Sequence, residues 1–189
     1  MRENSSITVR QAIEDVEIGF RQLEFAIKLL SFCELNKINP TEIDSDHLVQ
    51  LQTGNLHFPS GHFADNDSLV RTASINLQMV FSASALVLDQ AFDAIGMKPN
   101  PSAVDAASRL RLLVHMVRCA YAHGVADPRW EVRGNYKQVL TVAVEGATVT
   151  LDLKDLHYQQ FEIEQIGGWE NWFRIRCAAA RLFSLALTA

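Results

Sequence analysis

The chain reads as mainly all-α: a bundle of four to five helices with a small β-hairpin inserted before the last helix. Three observations predict this. Four stretches place apolar residues at alternating steps of three and four, the period of a helix with one buried face. One short stretch, about 136–153, instead alternates apolar and polar residues on either side of a glycine. The 189 residues are 48% hydrophobic and 21% charged. That composition suits a single domain, 1–189, able to bury about 70% of its unfolded surface without a metal or disulfide.

From 8 to 35, Ile13, Val16, Phe20, Leu23, Ile27 and Leu30 step by 3, 4, 3, 4 and 3 along one stripe. Glu14, Asp15, Glu17, Arg21, Gln22 and Lys28 fill the other faces, which predicts a long amphipathic helix that has stopped before Pro40. Residues 39–66 lose the period and hold Pro40, Gly54, Pro59 and Gly61. A long loop is expected there, with a short helical turn near 46–51. The next helix starts at Asp67 or Ser68, with Asp65, Asn66 and Asp67 as candidate caps. Leu77, Val80, Val87 and Ala91 make its stripe, and it ends near Gly96.

Asn100-Pro101-Ser102 introduces a third helix, with proline in its first turn and Asp105 close behind. Leu110, Val114, Val117 and Tyr121 form its apolar line, and Gly124 is the expected stop. Leu140, Val142 and Val144, then Val149, Leu151 and Leu153 beyond Glu145-Gly146, alternate with polar or small residues and predict the hairpin. After Gly167-Gly168, Trp172, Ile175, Ala179, Leu182 and Ala186 step by 3 and 4 again, as a last helix.

A formal net charge of −5 argues against general nucleic-acid binding, so any contact with RNA must be local. The three cysteines, Cys33, Cys119 and Cys177, lie far apart and outside any CxxC, as reduced thiols of a cytoplasmic protein do. The first residues show no apolar signal-peptide core. No run of about 18 uncharged apolar residues is present, so no membrane span or membrane partner is expected. The best candidate, 169–189, is interrupted by Arg174, Arg176 and Arg181.

Positive charge concentrates in one place. Arg109, Arg111, Arg118, Arg129, Arg133 and Lys137 face only Asp127 and Glu131 in sequence, a candidate anion site in an acidic chain. Arg111, His115 and Arg118 fall at i, i+4 and i+7 and share one helical face. The alternative is a solvated polar face opposite the apolar line. Tyr121 continues that line. Trp130, beside Arg129 and Arg133, could stack on a base or close the end of the bundle. His57 and His62 lie in a loop with no acidic or cysteine pair to complete a metal site, and read as parts of a loop pinned by Phe58 and Phe63. No phosphate loop, GxSxG or HExxH is present, and no cofactor is expected.

The segment Val117-Arg118-Cys119-Ala120-Tyr121-Ala122-His123-Gly124 closes a long helix and fits R-x4-6-H. In a mainly helical chain of this length it resembles the signature of the HEPN superfamily. The resemblance implies a helical-bundle domain that cleaves RNA without a metal, as a homodimer with its motifs at the interface. It also implies Arg118 and His123 as catalytic residues; Arg111, His115, Cys119, Tyr121, Arg129 and Trp130, in the basic stretch around them, are the candidate substrate-binding residues. Arginine suits a phosphate through its fixed bidentate donors, and histidine suits proton transfer near neutrality. Five residues apart on a straight helix, Arg118 and His123 point about 140° from one another. Either the helix opens at 122–124 or two copies assemble the site. Toxin–antitoxin systems and phage defence are the settings the resemblance suggests, with a cognate regulatory protein as partner. Family members commonly place a polar residue, often Asn, after the arginine, where this chain has Cys119. A catalytically inactive dimeric binding module of the same fold, for a protein or nucleotide, is the alternative.

Overall fold

A computed structural model describes residues 8–63, 65–122 and 124–188. It is mainly helical, with five α-helices and two antiparallel hairpins among the described residues. In chain order these are α1 (Val9–Glu34), α2 (Pro40–Ile43), β1 (His47–Leu51), β2 (Gly54–Phe58), α3 (Asn66–Ala94), α4 (Ala106–Ala120), β3 (Val139–Val144), β4 (Ala147–Asp152) and α5 (Gly168–Thr188). Two compact units are formed, one from residues up to 21 together with those from 81 onward, the other from 22–80.

The larger unit is built on aromatic side chains. Trp172 of α5 is fully buried, stacks on Phe20 at 5.9 Å and meets Phe81 at 5.1 Å. Its indole N–H donates to Ser84 Oγ at 3.0 Å, and that hydroxyl donates to the Phe81 carbonyl at 2.7 Å. The tryptophan therefore enters the core with its polar atom satisfied. α5 starts at two left-handed glycines. A Cβ on Gly167 (φ +88°) would lie 2.0 Å from the Asn171 amide nitrogen, so no other residue fits. Its buried stripe runs Trp172, Ile175, Ala179 and then Phe183, with Ala186 exposed. β3 and β4 pair in register from Val139↔Asp152 to Val144↔Ala147. Leu140, Val142, Val144, Val149 and Leu151 form their buried face, as the alternation predicts.

The boundaries of α4 differ from the expectation at both ends. It begins at Ala106 because Asp105 accepts the Ser108 N–H at 2.8 Å, while Pro101 and Ser102 lie in a preceding turn folded onto Asn100. It ends at Ala120, before Gly124, because the returning chain captures its last carbonyl: the Arg129 N–H donates to Ala120 O at 2.9 Å.

In the smaller unit, Cys33, Leu69 and Ala73 form a buried cluster with Leu29, Leu30, Ile38, Phe63 and Val70 packed on it. α1 ends through Asn36 in the left-handed conformation (φ 51°), four residues before Pro40. The expected loop at 39–66 holds a short helix and a hairpin, and the expected helical turn near 46–51 is instead strand β1. Every residue of β1 and β2 is exposed, so no buried face imposes the two-residue period by which a strand is recognised in sequence. The hairpin base is tied by carboxylates. Asp44 accepts the backbone N–H groups of Gly61, His62 and Phe63 at 2.8–2.9 Å, and Asp46 accepts that of Ser60 at 2.7 Å. Phe63 pins the segment as expected, whereas Phe58 is half exposed and pins nothing.

α3 is the one described helix long and apolar enough to cross a membrane, and 44% of that window is buried inside the protein.

Truncating Trp172 removes the partner of Phe20, Phe81 and Ser84 at once. Trp172→Ala should lose about 3–5 kcal/mol of unfolding free energy in urea titrations followed by far-UV circular dichroism. A loss under 1 kcal/mol would place the core elsewhere.

Candidate functional site

The helical period puts Arg111, His115 and Cys119 of α4 at i, i+4 and i+8, one above another. α3 offers Asp89 and Asp93 at the matching i, i+4 spacing. The two rows meet. Arg111 is 1% exposed, and all three of its donor nitrogens are engaged. Nη1 donates to Asp89 Oδ1 at 2.5 Å, Nη2 to Asp93 Oδ1 at 2.9 Å, and Nε to the Met97 carbonyl at 2.9 Å. The guanidinium also lies over the Phe92 ring, 5.5 Å from its centroid.

One turn on, His115 Nδ1 lies 3.4 Å from Asp89 Oδ1, and His115 Nε2 lies 3.5 Å from Cys119 Sγ. Asp89, His115 and Cys119 thus form a carboxylate–imidazole–thiol row, with Arg111 Nη1 on the same carboxylate oxygen, Oδ1, that faces His115. Tyr136 covers the imidazole, ring centroids 5.9 Å apart. The bond to Asp89, followed by that to Cys119, outweighs burial and raises the His115 pKa from 6.5 to about 9. Burial works to raise the Asp89 pKa, but the hydrogen bonds from His115 and Arg111 outweigh it and hold the carboxyl below its ordinary value. At neutral pH the row therefore contains an imidazolium between a carboxylate and a sulfur.

The remaining candidates separate into different surroundings. Arg118, one turn beyond His115 on the same face, is half-buried in the last turn of α4. Among the described residues its guanidinium makes no hydrogen bond or ion pair. His123 lies outside the described residues. Tyr121 joins the aromatic core, 5.4 Å from both Phe81 and Phe161, and burial pushes its phenol pKa up. Trp130 is fully buried with its N–H on Gln165 Oε1 at 2.8 Å, so it closes the core and has no face for a base. Arg129 is exposed, paired with Asp127 at 2.7 Å and bonded to the Tyr158 carbonyl. It lines a 410 Å³ cavity with Gly124, Arg133 and Tyr158.

Arg111 is thus a buried structural cation, each of its three nitrogens on a protein acceptor and out of reach of a phosphate in solution. The acidic partners of the row were overlooked in the sequence, although Asp89 and Asp93 carry a signal. Two carboxylates spaced i, i+4 on one helix match two cations spaced i, i+4 on the next when the helices run antiparallel. No family model matches the chain, and no curated protein or solved structure matches it either.

Asp89→Ala takes the carboxylate from both Arg111 Nη1 and His115, leaving Arg111 with only the half-exposed Asp93 and the Met97 carbonyl, and should cost about 3 kcal/mol in urea titrations, whereas Asp89→Leu combined with Arg111→Met should recover most of that loss. The groups facing His115 are Asp89 from α3, Arg111 and Cys119 from its own helix, and Tyr136 from the turn at Gly134–Tyr136. A folded-state pKa above the unfolded one stabilises the protein fully below about 6.5, and that stabilisation disappears as pH rises through about 9. The melting temperature should fall between these values, and His115→Gln should flatten the fall. An identical slope in the variant would remove His115 as its source.

Proposed function

We propose that the chain is a HEPN-type bundle that cleaves RNA as a homodimer, with Arg118 and His123 at the reacting centre. One observation carries the reading. Of the three arginines on α4, Arg111 is buried on two carboxylates and a carbonyl and Arg109 donates to the Thr141 carbonyl at 3.3 Å, while Arg118 has no partner among the described residues. A half-buried guanidinium left unpaired at a helix end is available to an anion. The mainly helical chain with a hairpin before its last helix is compatible with such a bundle.

In this reading the 2′-hydroxyl attacks the adjacent phosphate, the 5′-oxygen of the next nucleotide leaves, and a 2′,3′-cyclic phosphate remains. Arg118 binds the phosphate and neutralises its developing charge. His123 supplies proton transfer. In a homodimer, Arg118 of one protomer and His123 of its partner act on the same phosphate. A catalytically inactive binding module for a protein or nucleotide is the second reading. It rests on Cys119, which follows Arg118 where the family has a hydrogen-bonding residue and whose sulfur is directed at His115.

Purified protein, incubated with mixed cellular RNA in EDTA, should leave discrete fragments with cyclic-phosphate ends. Arg118→Ala and His123→Ala should each lower the rate at least 100-fold. Mixing the two variants should restore part of it if each site draws on both protomers. Absence of cleavage by the wild type favours the binding module, and equal cleavage by all three proteins removes Arg118 and His123 from the chemistry.

A further inference from the structure

We propose that Cys119 is a reactive thiol, a modification site at which hydrogen peroxide oxidises this chain to a sulfenic acid with His115 as the proton carrier. This is independent of the reading as a ribonuclease. The three cysteines occupy three different environments. Cys33 is fully buried in an apolar cluster, where burial pushes its thiol pKa up. Cys177 is exposed on α5, and Cys119 is half-buried. Cys119 has its sulfur 3.5 Å from an imidazole nitrogen whose ring is held on the far side by a carboxylate. That is the arrangement by which a nucleophile, a proton-transfer group and an orienting group act together. Sequence distance conceals it, since Asp89 lies 26 residues from His115.

The row is anchored as well as aligned. Asp89 is kept in place by Arg111, which is itself fixed by Asp93 and the Met97 carbonyl. His115 therefore presents Nε2 to the sulfur from a ring fixed through Nδ1. A half-buried sulfur beside a half-buried imidazole admits a reagent of a few atoms, and hydrogen peroxide is the small oxidant of that size. In the reaction the sulfur electron pair forms the S–O bond as the O–O bond breaks. The reacting form holds a single proton between Sγ and Nε2, a thiolate beside an imidazolium, and that proton passes to the departing hydroxide, which leaves as water. Sulfur is oxidised by two electrons, peroxide oxygen is reduced by two, and His115 is left as the neutral ring.

The test uses the full, reduced chain at pH 7, hydrogen peroxide as oxidant and dimedone to trap sulfenic acid. Peptides bearing each cysteine are then quantified by mass spectrometry. Cys119 should be trapped at least tenfold faster than Cys177, although Cys177 is the more exposed. His115→Gln should bring Cys119 down to or below the rate of Cys177 and leave Cys177 unchanged. Equal or slower trapping of Cys119 in the wild type overturns the proposal, and so does an undiminished Cys119 rate in a folded His115→Gln protein. Should that variant fail to fold, the comparison of the two cysteines within the wild-type chain decides by itself.

Discussion

A guanidinium taken out of water is held here by three backbone or side-chain acceptors and one aromatic ring, and much of the larger unit is arranged to supply them. Arg111 cannot lose its charge and cannot be left unsatisfied, because an isolated buried cation costs many kcal/mol. Its partners come from the last turns of α3 and from the chain just beyond, at Asp89, Asp93 and Met97. Satisfying one side chain therefore fixes the position of α3 along α4. Apolar packing alone leaves such sliding freedom, because leucine and valine accept many neighbours of similar size. A fork of directed donors accepts only one arrangement.

The same constraint reaches the chemistry. His115 lies one helical turn from Arg111, so once Arg111 holds Asp89 the imidazole meets the same carboxylate without further adjustment. Cys119, one more turn along, then meets the other ring nitrogen. The charge state of His115 is a consequence of fold geometry: a carboxylate that cannot move away keeps the imidazole protonated past neutrality. Arg118, one turn beyond His115, has no such partner among the described residues. One helix face therefore carries a fully compensated cation at its start and an uncompensated one at its end.

Legibility in the sequence followed burial. The stripes of α1, α4 and α5 and the buried face of β3–β4 could be read because each packs one face against a core, and a core demands a period, whereas on α3 Leu77 and Ala91 are buried but Val80 and Val87 lie beside the face that Ala73, Phe81, Leu88 and Phe92 bury. β1–β2 packs neither face, so nothing in its apolar order revealed a strand. The ends of α4 shifted for a related reason. A proline or glycine is a local signal, whereas the caps in use are the Asp105 side chain and a carbonyl captured by Arg129 from nine residues downstream. Among the candidate residues, Trp130 and Tyr121 could be read either as core or as substrate platforms, and burial assigned both to the aromatic core.

By itself the sequence determined the helical class, the hairpin before the last helix, and the row of Arg111, His115 and Arg118 on one face, since these depend only on the periods of local backbone geometry. The tertiary structure decided what that row is for. Whether an arginine is solvated, paired or open to a ligand depends on what a second helix brings within 3 Å of it. Asp89 lies 22 residues from Arg111, and local periodicity carries no information over that distance. Only the packing of α3 on α4 made Arg111 a structural cation and His115 a charged imidazole beside a thiol.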